Sequence, residues 1–213
     1  MTVLNLIDEY IKTKPLKEPI YSNEIQKYVL TKAKINDATI NEYINRYEEK
    51  NNDFIRYRKG IYYKTVKTPF GYSPINYQKL INDLYIINNN KKIGYISGPS
   101  FANRIGLTTE ISKYEYITTN NNRVVSGIDN LKLIKPVIKV NDDNYKYLQV
   151  LDLLANKNNI YFNCDNPNRI IYEYIIKNNI DFKGLLKYSI YFGKKCLLKL
   201  QEVCFNNDEI ASW

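Results

Sequence analysis

The chain has 213 residues, 44% of them hydrophobic and 14% aromatic, which is enough apolar side chain for a packed core and excludes a wholly disordered segment. Its apolar residues never form an unbroken run of about 18, the length that a membrane span requires. The N-terminus lacks the basic and apolar regions of a secretory signal, so we expect a cytoplasmic protein that does not enter the membrane. The formal net charge of +9 suggests a polyanionic partner.

The position of the arginines says more about that partner than the net charge does. The chain is rich in Asn, Lys, Ile and Tyr, as A/T-rich coding DNA produces, and lysine accumulates under that bias without any nucleic-acid ligand. Arginine is scarce, with six residues in all. Three of them, Arg46, Arg56 and Arg58, fall within 13 positions. This cluster is where we expect a nucleic-acid contact.

The composition also argues against several kinds of catalytic and metal site. The chain has no histidine, which removes the commonest general base and the Ser–His and Cys–His nucleophile pairs. Cys164, Cys196 and Cys204 are odd in number and widely spaced, which argues against a disulfide framework and a zinc site. The pair Asp142 and Asp143 lies among asparagines in an expected loop. We therefore predict no catalytic site, no metal and no cofactor.

The first 65 or so residues predict three helices and a hairpin. Apolar residues at helical spacing indicate a helix over 3–12, which a Pro-containing segment ends. Ser22 is expected to cap a second helix, and Asn36 or Asp37 to cap a third.

The spacing then changes from helical to alternating. Ile55 and Tyr57 are predicted on one face of a strand, with Arg56 and Arg58 on the other and Gly60 in the turn to a second strand. Three helices followed by a basic hairpin are the order of a winged helix-turn-helix. We place such a DNA-binding domain at about residues 1–66.

In such a domain the third helix lies in the major groove, and the hairpin reaches the adjacent backbone or the minor groove. The start of the second helix is suited to hold a phosphate. The predicted DNA-binding residues are Ser22, Asn23, Thr39, Asn41, Glu42, Asn45, Arg46, Arg56, Arg58 and Lys59.

The remainder predicts a mixed α/β domain over about 70–213 with a helical C-terminal part, so the fold class is α+β. Thr65–Ser73 is expected to be a linker, and Ser100 to cap a short helix that Gly106 ends. The predicted helices are 75–87, 144–156, 167–178 and 182–203. The predicted β-segments are 92–97, 114–119, 123–126 and 131–140.

Two runs of sequence resemble a known family. Arg58–Tyr63 reads RKGIYY, and Ile96–Glu110 reads ISGPSFANRIGLTTE. Together they resemble the AbiEi-type antitoxins of bacterial type IV toxin–antitoxin (abortive infection) systems, over roughly residues 20–140. In that family a winged helix precedes a domain with a small-residue helix and a "GLTTQ"-like turn. Glu110 departs from the pattern, because glutamine is expected there.

The resemblance implies two activities and no catalytic residue. The N-terminal domain would bind inverted repeats in the promoter of its own operon and repress it. The C-terminal domain would counteract a nucleotidyltransferase-type toxin without a stable complex. A small module buries too little surface for high specificity, so we expect a monomer or weak dimer acting cooperatively on double-stranded DNA.

Three alternatives stay open at this point. The first is a transcription regulator whose second domain senses a ligand or partner. The second is an adaptor whose winged helix no longer touches DNA. The third, with the least support, is an enzyme. The segment 97–109 is a tight turn before a capped helix or a phosphate loop, although it lacks the P-loop consensus. The lysine-rich C-terminal helices are a basic binding surface or ordinary amphipathic helices.

Overall fold

The structure is a computed structural model that describes residues 2–121, 123–124 and 128–205. The chain mixes helices with short strands, as the predicted fold class requires at its coarsest level. It divides into two compact units, Met1–Ile81 and Asn82–Trp213, so the division lies beyond the boundary near residues 66–70 that the sequence suggested. Among the described residues, no helix has the length and apolar character needed to cross a bilayer.

The first unit begins with the three predicted helices, α1 (Val3–Lys12), α2 (Ser22–Leu30) and α3 (Asp37–Lys50). The Asn36 side chain accepts a hydrogen bond from the Thr39 N–H, which decides between the two predicted caps of α3. The prediction that Ser22 caps α2 is wrong. The helix already includes Ser22, and the residue before it caps no N–H with its side chain.

A three-stranded antiparallel sheet completes this unit. Its strands β1 (Pro19–Tyr21), β2 (Phe54–Arg58) and β3 (Ile61–Lys64) lie in the order β1-β3-β2. The predicted hairpin is confirmed, and Gly60 adopts a left-handed φ of +79° in its turn. A register shift between Arg56 and Arg58 breaks the alternation predicted for β2, because a bulge adds an unpaired residue.

Both faces of this sheet are covered. The Phe54 and Tyr62 rings stack at 5.1 Å on the side of the three helices. On the other side, Tyr57 and Tyr77 of α4 (Tyr77–Ile81) meet edge to face, with their ring centres 6.1 Å apart. Tyr63 is buried as well. The core on the helical side consists of Leu6, Ile7, Ile11, Ile20, Ile25, Val29, Ile40, Ile44, Phe54 and Tyr62.

The predicted linker is a second hairpin. Strands β4 (Lys67–Thr68) and β5 (Gly71–Tyr72) pair antiparallel, and Thr65 and Ser73 at the base of the hairpin are buried. The linker prediction is therefore wrong. Pro and Gly at positions 69 and 71 build a tight turn here and do not make the chain extended.

The second unit begins with a π-helical turn, Asn82–Ile86, so the helix predicted over 75–87 is a short α-helix continued by this turn. A small hairpin, β6 (Ile87–Asn88) with β7 (Lys91–Lys92), follows. A three-stranded sheet then has the order β10-β9-β8, in which β9 (Glu115–Thr119) is antiparallel to β8 (Gly94–Ile96) and parallel to β10 (Leu131–Ile134).

One predicted β-segment, 123–126, is only partly covered by the structure. Residues 125 and 126 lie outside the described residues, and 123–124 are not in a strand. The strand predicted over 131–140 is shorter than expected and ends at Ile134, two residues before Pro136.

The helical C-terminal part consists of α6 (Tyr145–Ala155), α7 (Pro167–Lys177), α8 (Phe182–Ser189) and α9 (Lys194–Phe205). The single helix predicted over 182–203 is two helices, because the chain turns at Gly193 with a φ of +82°. Helix α6 packs against α8 and α9. Its buried side chains are Leu148, Val150, Leu151, Leu153 and Leu154.

Candidate nucleic-acid interface

The polar surface of α3 is tied to its neighbours by two asparagines one turn apart. Asn41 accepts a hydrogen bond of 2.9 Å from Nε2 of Gln26 on α2. Asn45 accepts one of 3.3 Å from the Tyr62 hydroxyl on β3. Both asparagines are exposed. Side-chain hydrogen bonds thus join α3 to α2 and to the sheet, and the Gln26 and Tyr62 contacts were not predicted from the sequence.

The start of α2 meets the turn of the β2–β3 hairpin. The Ser22 N–H donates to the Gly60 carbonyl at 2.9 Å. A Cβ at position 60 would lie 3.1 Å from the Ser22 hydroxyl oxygen, so a small residue suits this close approach. The Ser22 N–H is therefore already bonded, whereas the neighbouring Asn23 is exposed.

Two further predicted contact residues lie in the first half of α3. The Thr39 hydroxyl donates to Oδ1 of Asn36 at 2.8 Å, so this half-buried side chain belongs to the helix cap. Glu42 is exposed. Thr39 thus stabilises the N-terminus of α3, whereas the Glu42 side chain is open to solvent.

The basic side chains have different surroundings. The Arg46 guanidinium carbon lies 5.4 Å from the centre of the Tyr43 ring, a distance at which a cation is attracted to the ring face. The Arg56 backbone N–H donates to Oε1 of Glu48 at 3.4 Å. Arg46, Arg56 and Lys59 are exposed, whereas Arg58 is half-buried.

The pKa of the Tyr62 phenol depends on charged groups of both α3 and the hairpin. Desolvation is the main cause that raises its pKa, while the charge of Arg56 lowers it and that of Glu48 raises it. Arg56 and Glu48 thus act on the same group with opposite signs. The cationic character of the hairpin is partly compensated at the edge that borders α3.

Charge is unevenly divided between the two elements. The hairpin Phe54–Lys64 holds four basic residues and no acidic one, a formal charge of +4. Helix α3 holds four acidic and two basic residues, a formal charge of −2. Its acidic residues are Asp37, Glu42, Glu48 and Glu49. The positive charge of these two elements therefore lies in the hairpin, whereas α3 has a net negative charge.

The segment that carries the family resemblance is held by side-chain bonds. Helix α5 (Gly98–Arg104) starts before Ser100, so the predicted cap is wrong. The Ser100 hydroxyl donates to the Tyr114 carbonyl at 3.2 Å and accepts from the Tyr116 N–H at 3.0 Å. Gly106 ends this segment with a φ of +84°, as predicted.

The turn after α5 is fixed by two asparagines. Asn103 donates to the Thr108 carbonyl at 3.0 Å and to the Glu110 carbonyl at 3.1 Å. Asn163 accepts from the Thr109 N–H at 3.0 Å and donates to its hydroxyl at 2.7 Å. The Asn103 and Asn163 side chains thus have a role in holding the turn. This favours the tight turn next to a short helix over a phosphate loop.

Other site types find little support among the described residues. Within them, no group of three or more His, Cys, Asp or Glu side chains is arranged to hold a metal ion. The three cysteines are free thiols. Burial raises the pKa of Cys196 to about 11 and also raises that of Cys204, so neither thiol is activated as a nucleophile.

No known protein family matches this chain, and no curated protein sequence is significantly similar to it. The resemblance to AbiEi-type antitoxins therefore rests on the two runs of residues that carry it.

Proposed function

We propose that the unit Met1–Ile81 is a winged helix-turn-helix that binds double-stranded DNA, and that the protein represses its own operon. The order of the elements supports this, with three helices followed by a hairpin in a sheet of order β1-β3-β2. In this arrangement α3 enters the major groove and the β2–β3 hairpin contacts the flanking backbone. Such a domain needs two copies on one operator to be specific.

The observation that carries the proposal is the position of the basic hairpin. Arg56, Arg58 and Lys59 lie next to its Gly60 turn, and the hairpin is joined to α2 by the Ser22–Gly60 bond and to α3 by the Tyr62–Asn45 bond. Because α3 has a net negative charge, phosphate contacts fall to the hairpin, and base contacts to Asn41, Asn45 and Arg46. Asparagine pairs with adenine and arginine with guanine in the major groove.

The test is a salt-titrated binding assay on the DNA upstream of the gene. We expect the triple variant Arg56→Ala, Arg58→Ala, Lys59→Ala to lose most of its affinity. The slope of log K against log salt should fall by roughly 0.9 for each phosphate contact removed. Fluorescence anisotropy with the upstream duplex and with a scrambled duplex separates specific from non-specific binding.

The matched control removes the same charge from the second unit. Lys183, Lys194 and Lys195 are exposed on α8 and α9, and their replacement by alanine also lowers the net charge by three. This variant should keep the wild-type affinity and slope. Equal losses in both triple variants, or no preference of the wild type for upstream DNA, would refute the proposal.

We propose further that the unit Asn82–Trp213 counteracts a nucleotidyltransferase-type toxin. This part is supported by the resemblance of Ile96–Glu110 to the antitoxin family and by the ordered turn that these residues form. Co-expression with a neighbouring nucleotidyltransferase gene should restore growth, and the hairpin triple variant should restore it equally. Failure to restore growth, or a tight stoichiometric complex with the toxin, would contradict this mode of action.

One observation favours a second candidate, a winged helix that binds a protein. The net charge of −2 on α3 is unusual for an element that enters the major groove. The variant Glu49→Gln separates the two candidates. A DNA-binding α3 should gain affinity for DNA when this exposed carboxylate is removed, whereas an adaptor should bind DNA neither before nor after the change.

A further inference from the structure

We propose that α3 reads DNA through hydrogen-bond donors, because neighbouring elements hold the amide oxygens of its exposed asparagines, Asn41 and Asn45. The half-site would then present guanine or thymine at the two positions that these side chains contact. This inference rests on the proposed DNA-binding function and names the class of sequence that the same site takes.

The amide of Asn41 is held by α2. Its Oδ1 accepts a hydrogen bond of 2.9 Å from Nε2 of Gln26, a half-buried side chain on a helix that packs against α3. An amide NH₂ group can only donate, so the atom of Asn41 that faces it is the oxygen. The NH₂ group of Asn41 makes no hydrogen bond within the described part of the chain, and its side chain is exposed.

Asn45, one turn further along α3, is held by the sheet in the same way. Its Oδ1 accepts from the Tyr62 hydroxyl at 3.3 Å. Tyr62 is 4% exposed and its ring stacks on Phe54, so the hydroxyl approaches from a fixed position. The NH₂ group of Asn45 likewise has no partner among the residues that the structure describes.

The engaged oxygens change the base that an asparagine prefers. With both amide atoms free, asparagine pairs with adenine, because its oxygen accepts from N6 and its nitrogen donates to N7. Once the oxygen accepts from the protein, the NH₂ group is the main contact left for a base. It matches guanine, which offers O6 and N7 in the major groove, and thymine, which offers O4, whereas cytosine presents a donor.

The spacing of the two asparagines suits two nearby base pairs. Four residues of α-helix rise about 6 Å, and successive base pairs are roughly 3.4 Å apart. The two contacted positions should therefore lie one or two base steps apart. Because each amide is already held in place, little side-chain freedom is lost when the DNA binds.

The base preference of the full chain at single positions tests the inference. Selection of bound duplexes from a randomised pool defines the half-site, and fluorescence anisotropy with duplexes that differ at one base pair measures the preference. We expect guanine or thymine to be favoured over cytosine by roughly tenfold at two positions. Asn41→Ala should remove the preference at one of them, and Asn45→Ala at the other.

The decisive variant is Gln26→Glu, which keeps the size of the side chain but has no donor. The Asn41 amide should turn, donate to the new carboxylate and present its oxygen to the DNA. The preference at the Asn41 position should then change to cytosine or adenine, while the Asn45 position keeps its own. Tyr62→Phe, which removes only the hydroxyl, should admit adenine at the Asn45 position alone.

Gln78→Glu is the matched control. Gln78 is exposed on α4, on the other side of the sheet, so the same substitution adds the same charge to the same unit. Added negative charge weakens binding to every duplex alike, so this variant should keep both base preferences. The double variant Gln26→Glu, Asn41→Ala should behave as Asn41→Ala does, because Gln26 is a positioning residue that acts through Asn41.

The outcomes separate this inference from the proposed function. It would be overturned by a wild-type preference for adenine or cytosine at these positions, by an unchanged preference in Gln26→Glu, or by an effect of Gln26→Glu that persists without Asn41. In each of these cases sequence-specific DNA binding still stands. If the wild type favours no sequence at all, the proposed function and this inference both fail. Thermal denaturation checks that each variant folds, and if Gln26→Glu does not, Tyr62→Phe decides by itself.

Discussion

The carboxylate of Asp152 is the clearest case of a single group whose environment opposes its charge. It lies on α6 and accepts hydrogen bonds from the Thr118 hydroxyl at 3.2 Å and the Asn156 amide at 2.9 Å. Desolvation raises its pKa above the ordinary 3.8 in spite of these donors. The folded state therefore binds this proton more tightly than the unfolded state does.

The sign of the pH dependence follows from that shift. The stabilising effect of protonation is complete below about pH 3.8 and is lost as the pH rises through the folded-state pKa. We therefore expect Asp152→Asn to raise the free energy of unfolding at pH 7 and to change it little at low pH. An amide keeps both contacts, because its oxygen accepts from Asn156 and its NH₂ donates to the Thr118 hydroxyl.

Urea unfolding at several pH values measures this effect. Asp143→Asn is the control, because Asp143 is exposed and the same charge is removed. A variant at Asp152 that is destabilised at pH 7, or that matches the Asp143 variant at every pH, would show that the ionised carboxylate is not unfavourable in the folded state.

At the scale of elements, the start of α3 depends on one side chain. Oδ1 of Asn36 accepts from both the N–H and the hydroxyl of Thr39, at 2.8 Å each. Asn36→Ala should lower the free energy of unfolding by about 1 kcal/mol, the usual loss for an N-cap. Asn36→Asp should lose little, because the carboxylate accepts the same bonds.

Asp37→Ala is the matched control for this prediction. Asp37 lies in the first turn of α3 and interacts favourably with the helix dipole, an effect of about 0.3–1 kcal/mol at an exposed position. Thermal denaturation of the three variants ranks them. If Asp37→Ala were the more harmful change, the cap assigned to Asn36 would be wrong.

Elements also show where sequence reasoning failed. Thr65–Ser73 has the Pro and Gly of a linker, and only burial of its two end residues reveals a closed hairpin. Strand β1 is three residues long and shows no alternation to read. It exists because Pro19, Ile20 and Tyr21 pair with β3, a contact between residues 40 to 44 positions apart.

At the scale of the whole molecule, the division at Ile81 leads us to predict which N-terminal fragment is stable by itself. A fragment of residues 1–66 would lack Ser73, which bonds Thr65, and Tyr77, which contacts Tyr57. It would expose a sheet face that includes Tyr63. We expect a fragment of residues 1–81 to unfold cooperatively and the shorter fragment to be markedly less stable.

Urea denaturation followed by circular dichroism compares the two fragments. The variant Thr65→Val in the longer fragment isolates the contribution of the buried hydroxyl, because it keeps the size of the side chain. Equal midpoints for the two fragments would mean that the segment 67–81 adds nothing to the first unit.

The sequence by itself determined the helices of the first unit, the basic hairpin and the mixed character of the second unit. These features depend on local periodicity, on caps such as Asn36 and on the Gly60 turn, all of which act within a few residues. The clustering of arginines was also visible, since it requires only the order of the residues.

Only the tertiary structure decided which groups meet. The Gln26–Asn41 and Tyr62–Asn45 bonds join residues 15 and 17 positions apart, and Asn163 holds a turn 54 positions away. The exposure of Phe70 likewise depends on what the rest of the unit covers. Contacts of this range follow from how elements pack, and a pattern read along one segment does not contain them.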